Sequence, residues 1–400
     1  MSFKYDFNQL KEAILFNTAE VLPGDPKQLD QEIQTLVDQA NQSGEKIRHY
    51  IGFEISGKLH FGNNTYQMLK VAKLQQAGVE CVIWLADYHT FINKKLDGKI
   101  ETIHKVAKTY FEPVMRKTLD NCGGDSQKLQ VLYAKDEYRK YDKNDLSFWD
   151  FELECEEYIT VSRTLRSLSI AGKVGGESSS YKLTRYVGMQ AADVFWLKTH
   201  IVQSGLDQRK IYVSCRDIAD KIDPKYGLKI NQKSVKPIAI FSSLLLGMKP
   251  PENQNQATEG KTLEAGKKMS KSNPDSAIFE DDDFEEISRK LKKAYCPMIN
   301  KDLSDEENEQ IQDLNPLLDW CKKMIFPANK ILEVIRPEKF GGNKTYQTFE
   351  ELKTDYFRNS LHPLDLKNAV AKCLSDWFAP IREYVQKNPE GLELIKNSKK

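Results

Sequence analysis

The strongest constraint on the fold is a strand–helix–strand succession packed between His49 and Asp87. "HYIGFEI" and "ECVIWLAD" are short apolar runs of strand length. Between them, "NTYQMLKVAKLQQAG" places Leu69, Ala72 and Leu74 at helical spacing, with Gly78 at its end. Two strands joined by a helical crossover lie parallel, so this stretch commits the chain to a parallel sheet flanked by helices. The pattern continues with a helix in "IHKVAKTYFEPVMRKTLDNCGG" and a strand in "KLQVLYAKD". Helices follow in "YVGMQAADVFWLKT" and "QRKIYVSCRDIADKI", and a last strand in "KPIAIFSSLLLG".

The flanks read differently. Residues 1–46 are polar, with Leu29, Ile33, Leu36 and Val37 at helical spacing and Gly44 as a stop, so they predict an appended helical arm. From 152 to 182 the pattern loosens, which suggests an insertion between two halves of the sheet. The polar stretch from Met248 to Lys268 reads as a mobile loop. In "EDDDFEEISRKLKKAY" acids come first and bases last, an order that suits a helix dipole and predicts a solvated helix start. The remainder reads mostly as helix outside "FGGNKTYQT". The expected division is therefore an arm over 1–46, an α/β domain over 47–280 and a helical domain over 281–400.

Composition removes several function classes. No apolar run nears the ~18 residues a bilayer span needs, and the N-terminal stretch has no signal-peptide layout. Seven scattered cysteines with no C-x-x-C pair oppose a disulfide framework or zinc ribbon and imply reduced thiols in a cytoplasm. A net charge of +1 decides nothing about nucleic acid, because local patches outweigh the total.

Two short motifs can carry chemistry. After the first strand stands "HFGN", His60 to Asn63, preceded by Gly52 and Gly57. Open parallel sheets bind ligands beyond the carboxyl ends of their strands, where glycines allow close approach and His60 could donate to a phosphate. A plain turn whose glycines serve packing explains the same residues. After the last strand, "GKKMSKS" sets Lys267, Lys268 and Lys271 beside Ser270 and Ser272, charges that could meet a polyphosphate or simply face water. Tyr186, Gln190 and Asp193 fall at i, i+4 and i+7, so one helix face could aim all three into a pocket or all three outward.

The two motifs together, in this order, resemble the signatures of class I aminoacyl-tRNA synthetases. With "YIGFEISGKLHFGN", "YVGMQAADVF", "LDQRK", "KMSKSNPDSAIF", "KKAYCP", "FGGNKTY" and "LHPLDLKNAV", the chain from about 45 to 390 resembles the tyrosyl family of archaeal and eukaryotic cytosolic type. The resemblance implies a Rossmann-like catalytic domain followed by a helical anticodon-binding domain. It also implies tyrosine activation by ATP with Mg²⁺, tRNA(Tyr) as partner, and a homodimer. Gly52, His60, Gly62, Asn63, Lys268, Met269, Ser270, Lys271 and Ser272 match the ATP-handling positions, with His60, Lys268 and Lys271 the catalytic ones. Tyr50 and Asp193 match the pair that meets the phenol hydroxyl. Tyr186, Gln190 and Gln208, with Glu54, match the surroundings of the ammonium. Phe340 and Asp365 match readers of the first anticodon base, with His362 close by in the same motif. Asn63 departs from the histidine of the usual signature.

Other residues receive plainer readings. His89 is placed at the pocket edge, and His49, His104 and His200 at the surface or in packing. Arg289, Lys290, Lys292 and Lys293, like Lys396, Lys399 and Lys400, could meet phosphates or end solvated helices. The stretch Phe111–Leu119 is a candidate dimer face. Two alternatives remain open: a tryptophanyl enzyme of the same plan, and a synthetase-like RNA-binding protein that makes no adenylate.

Overall fold

The computed structural model describes residues 3–141, 146–170, 181–249 and 274–398. Its centre is a six-stranded sheet of β1 (Thr18–Leu22), β2 (Arg48–Phe53), β3 (Glu80–Leu85), β4 (Gln130–Tyr133), β5 (Ile201–Gly205) and β6 (Ile238–Ser242), in the order β1-β6-β5-β2-β3-β4. All pairs are parallel except β1 with β6. The strand–helix–strand reading is thus found where the sequence places it: β2 runs in register with β3 from Arg48↔Glu80 to Phe53↔Leu85, and α1 (Thr65–Gln76) crosses between them.

Alternation along the strands builds two apolar layers. Tyr50, Val82 and Trp84 face one, while Ile51, Phe53, Cys81, Ile83 and Leu85 face the other. The first layer is covered by α2 (Phe148–Glu156), α3 (Val161–Ile170), α4 (Arg185–Trp196) and α5 (Arg209–Ile218), which contribute Phe148, Leu168, Val187, Val194 and Ile211. The second layer is continuous from Tyr5 through the long helix Pro363–Lys387, with Leu366, Val370, Leu374 and Phe378 buried in it. The expected division near residue 280 therefore marks a change of secondary-structure type within one shared apolar layer.

Several expectations need correction. Residues 1–46 contain the predicted helix, Pro26–Ser43, ended by Gly44 at φ 75°, but they also supply β1 to the sheet edge. That segment is built in, not appended. Buried Lys70 binds it further by donating to the Ile14 and Phe16 carbonyls and the Thr18 hydroxyl. Strand β5 went unread, because buried Gln203 interrupts its apolar run. The Phe111–Leu119 stretch turns its apolar side inward: Phe111, Val114, Met115 and Leu119 are all buried in the chain's own core. Helices α2 and α3 occupy the expected insertion, and residues 171–180 of it lie outside the described residues.

Candidate active site

A cavity of about 780 Å³ opens at the carboxyl ends of β2 and β5, where the strand order reverses. Its walls include Tyr50, Gly52, Glu54, His60, Gly62, Asn63, Tyr186, Gln190, Asp193 and Gln208, so the structure gathers these expected positions around one space. His89 lines it as well.

At the end beside α4, side-chain hydrogen bonds fix the geometry. Helical spacing sets Tyr186, Gln190 and Asp193 on the inward face, which removes the reading of a solvated outer face. Asp193 Oδ1 accepts from the Tyr138 hydroxyl at 2.7 Å, and His89 Nε2 stands 4.0 Å from Oδ2. Burial pushes the Asp193 carboxyl well above the usual range, against the pull of donors on Tyr138 and Trp84. Burial also raises the Tyr50 and Tyr186 phenols well above 10, so both keep their protons at neutral pH. The Tyr50 and Tyr212 hydroxyls lie 2.8 Å apart, and Gln190 Nε2 donates to Tyr212 at 3.0 Å. Glu54 Oε1 accepts from Tyr186 at 2.8 Å and from Asn93 at 2.7 Å. The side-chain carbonyl oxygens of Gln190 and Gln208 are buried at the cavity wall with no donor among the described residues. Two such acceptors suit a ligand that carries its own N–H groups, such as an ammonium.

The middle of the floor is a chain of amides. His49 Nε2 lies 3.0 Å from Gln203 Oε1, and Gln203 Nε2 donates to Gln67 Oε1 at 2.7 Å. Since the Gln203 oxygen can only accept, His49 donates from Nε2. The Ser242 hydroxyl donates to the same Gln67 oxygen.

At the other end lies the His60–Asn63 corner. Asn63 Oδ1 accepts from the His60 amide at 2.9 Å, and the Asn63 amide returns a bond to the His60 carbonyl at 3.0 Å. The corner is stitched to a segment more than 200 residues later: the Phe61 amide donates to the Ile278 carbonyl, and His60 pairs with Phe279. Gly57, at φ 121°, makes the turn into it. Gly52 needs no such explanation, because an added Cβ would meet Trp84 and Tyr50 only at ordinary contact, 3.6 and 3.7 Å. Its bare backbone instead leaves the cavity wall open to a ligand.

The acidic run at 280–283 corrects the sequence reading. Glu280 is buried; it accepts from the Thr65 amide and hydroxyl, from Asn64 Nδ2 at 2.8 Å and from the Thr118 hydroxyl at 3.1 Å. The first amide of α1 is thus already taken and is not an open anion seat. Asp282 is buried against Lys290 at 2.6 Å, and Asp283 caps the helix Phe284–Lys292. Lys290 is therefore not a surface cation, and Arg289 is engaged by Glu286 and Asp275. Lys268, Met269, Ser270, Lys271 and Ser272 lie outside the described residues.

Far from the cavity, Phe340 is 61% exposed on a turn. Arg336, which sequence reasoning missed, ties that turn to the start of the long helix. It donates to the Gly342 and Ser360 carbonyls at 3.0 and 2.9 Å and to Asp365 at 3.3 Å. His362 caps the same helix, its Nδ1 accepting from the Leu364 amide at 3.1 Å. Of the remaining histidines, His49 and His200 are buried, while His104 pairs with Asp87 at 2.7 Å. Tyr138 and Tyr212 were also missed; Tyr138 follows the one-turn helix Ala134–Glu137 and Tyr212 lies on α5.

A mostly parallel sheet with a cavity at its switch point, bounded by an H-x-G-N corner after β2, has the plan of a nucleotide-binding α/β enzyme. Comparison with known proteins specifies it further. Residues 42–379 match the family model of tRNA synthetases class I (W and Y), and the chain belongs to that family. It is 41% identical to a tyrosine–tRNA ligase of Thermococcus sibiricus over 360 residues, covering 89% of this chain and 91% of the relative. A tyrosine–tRNA ligase of Thermococcus kodakarensis is 42% identical over 363 residues, with the same coverage. The crystal structure of a Pyrococcus horikoshii tyrosyl-tRNA synthetase complexed with L-tyrosine superposes with TM-score 0.83 at 37% identity, covering 98% of this chain and 100% of that one.

Proposed function

We propose that this cavity activates L-tyrosine with ATP and that the chain then charges tRNA(Tyr). The observation that carries the reading is buried Asp193, held by Tyr138 on one oxygen and sharing the cavity wall with the Tyr50 hydroxyl. A phenol entering beside it donates a hydrogen bond to Asp193 and accepts one from Tyr50. A ligand without that hydroxyl leaves Asp193 and Tyr50 with only their partners Tyr138 and Tyr212, a loss that is costly in a buried site. Tyrosyl enzymes are the standard illustration of this kind of discrimination, with phenylalanine the analogue they turn away.

The substrate's ammonium then meets the orphan oxygens of Gln190 and Gln208, with Tyr186 and Glu54 alongside. Its carboxylate oxygen attacks the α-phosphorus of ATP, which enters with magnesium on its phosphates. One O–P bond forms, the bond to the β-phosphate bridge breaks, and pyrophosphate leaves. The terminal ribose hydroxyl of the tRNA next attacks the acyl carbon and AMP leaves. No protein nucleophile is needed; positioning and charge stabilisation carry the rate. His60, Gly62 and Asn63 face the nucleotide, with Gly52 leaving room. Lys271 and Lys268 stand three and six residues before Pro274 in a chain that rejoins the corner at Ile278, a tether that lets them reach the pyrophosphate.

Phe340 offers a face on which an unpaired anticodon base stacks, with Asp365 and His362 at the neighbouring helix start. The working form is a homodimer, for which exposed Leu153, Val161 and Leu165 on α2 and α3 provide an apolar face. Seven unpaired cysteines suit a cytoplasmic location. No helix among the described residues is long and apolar enough to cross a membrane.

ATP–pyrophosphate exchange with tyrosine, tryptophan and phenylalanine tests the reading, followed by charging of tRNA(Tyr). Exchange that depends on tyrosine supports it. Exchange with tryptophan alone, or none from folded protein, overturns it.

A further inference from the structure

Among the described residues, the cavity wall carries the carboxylates of Glu54, Asp193 and Asp207 but a single lysine or arginine, Lys95. Each carboxylate has a protein donor: Tyr186 and Asn93 on Glu54, Tyr138 on Asp193, and Gln208 Nε2 on Asp207 at 3.2 Å. Lys95 is exposed, and no carboxylate among the described residues pairs with it. Lysines nearby are engaged. Lys58 pairs with Asp281 at 2.7 Å and lies over the Phe279 ring, and Lys182 donates to the Phe91 carbonyl at 3.2 Å.

The turn that presents Lys95 is fixed through its backbone. It follows the short helix Asp87–Ile92. The Lys95 amide donates to the Thr90 carbonyl at 3.1 Å, and the Lys95 carbonyl accepts from the Gly98 amide at 3.0 Å. Lys94 at φ 50° and Leu96 at φ 53° flank it in the left-handed region, which residues with a side chain enter at a cost. Leu96 packs against the second apolar layer and so holds the turn against that cost. Thr90 is also buried and accepts, through its hydroxyl, from the Ile55 amide at 2.8 Å. The loop over 55–61 is therefore held at its start by Thr90, which carries Lys95, and at its end by Ile278.

We propose that Lys95 binds the triphosphate of ATP during activation, bringing an ammonium charge to it from the start of the loop that leads to His60. The inference rests on the proposed tyrosine activation and adds a catalytic residue to it. Two anions enter the cavity in that reaction, the carboxylate of the amino acid and the phosphates. A cation on the carboxylate would stabilise the nucleophile before it attacks and slow the step. A cation on the phosphates gains as the bond to the leaving pyrophosphate breaks and charge builds there. The phosphates are therefore the productive partner.

The test compares kcat and KM for ATP in pyrophosphate exchange among the parent chain, Lys95→Met, Lys95→Arg and Lys99→Met. Equilibrium binding of L-tyrosine and of tyrosinol, which lacks the carboxylate, is measured alongside. Lys95→Met removes the charge and keeps the stem, so kcat/KM for ATP should fall by about 10- to 100-fold while both tyrosine and tyrosinol bind within about twofold of the parent. The loss should shrink as ionic strength rises, because an exposed charge is screened and a packing contact is not. Lys95→Arg should recover to within about fivefold of the parent. Lys99→Met, on the same exposed segment but off the cavity wall, should match the parent. An ATP dependence in Lys95→Met within about twofold of the parent overturns the assignment. Weaker binding of tyrosine with tyrosinol unaffected also overturns it, by making Lys95 a reader of the carboxylate. An equal loss in Lys99→Met does the same, by reducing the effect to general charge. No exchange with tyrosine in the parent removes the underlying reading and this one together, whereas exchange in the parent with Lys95→Met unchanged removes this one alone.

Discussion

The two ends of the cavity are built on different principles. At the α4 end, side chains hold side chains: Tyr138 on Asp193, Tyr186 on Glu54, and Gln190 on Tyr212 on Tyr50. At the His60 end, backbone holds backbone, with Phe61 on Ile278 and His60 against Phe279, and buried Glu280 clamps the start of α1 beside them. Reading an amino acid needs donors and acceptors of fixed direction, which only positioned side chains supply. Handling phosphates needs positive charge brought to a stable corner; the described residues supply the corner, with Lys95 on the cavity wall, while Lys268 and Lys271 lie outside them. Chemistry and selectivity should therefore fail separately when each end is damaged.

The largest separation is expected for Lys271→Ala. Removing an ammonium that meets developing charge on the leaving group should lower kcat for adenylate formation by about 100- to 1000-fold, with KM for tyrosine within about twofold. Single-turnover exchange across tyrosine concentrations measures both. An unchanged exchange rate would end that role for the lysine.

Glu280→Gln probes what steadies the corner. The new amide would place N–H groups against donors on Asn64 and Thr118, or leave Thr65 without its acceptor. A cost of about 2–3 kcal/mol in chemical denaturation is expected, accompanied by a raised KM for ATP and an unchanged KM for tyrosine. Equal changes in the two KM values would show that the ends are not independent.

The amide chain between the ends carries a pH signature. Burial lowers the His49 pKa to about 3, so the folded chain keeps this ring neutral while an unfolded chain protonates it near its ordinary 6.5. Between those values the unfolded state binds more protons, so the His49 contribution is intact above about 6.5 and is lost as pH falls toward 3. His49→Gln removes this part of the acid sensitivity. Relative to the parent, the variant should gain about 2 kcal/mol between pH 7 and pH 4.5, measured as the shift in denaturation midpoint. A constant difference across that range would place the ionisation elsewhere.

How much of this could be read from the chain follows the same divide. The βαβ unit, the turn at the corner and the shared face of Tyr186, Gln190 and Asp193 were legible from short-range spacing; which way that face points and what the corner holds were not, since spacing allowed a solvated face and a plain turn. Strand β5 was not legible, because buried Gln203 breaks an apolar run and is tolerable only with His49 and Gln67 beside it. Strand β1 is a half-exposed antiparallel edge between two helices and carries little pattern. Glu280 looked like a solvated helix start, since its partners Asn64, Thr65 and Thr118 lie 162 to 216 residues away. Tyr138 and Tyr212 drew no notice for the same reason, their hydroxyl partners being set by tertiary packing. Sequence locates groups that act through local geometry; groups that act through a distant partner require the fold.

The smallest effect is expected at Asn63, where the corner departs from the usual histidine. Its side-chain oxygen accepts from the His60 amide, so the amide nitrogen is the group left to face the cavity. A histidine there could accept the same bond through Nδ1, as His362 does at its helix start, and present Nε2–H in place of the amide N–H. In the neutral tautomer the turn and the donor would both survive; a positive charge below about pH 6.5 would turn Nδ1 into a donor and give up the bond from the His60 amide. Asn63→His should accordingly alter the exchange rate by less than about threefold at pH 8, with any change growing only toward pH 6. A rate rise of about tenfold or more at pH 8 would mean that the asparagine limits the enzyme through geometry rather than charge. The hydrogen bond to the His60 amide would then be holding the corner in the wrong place for the nucleotide.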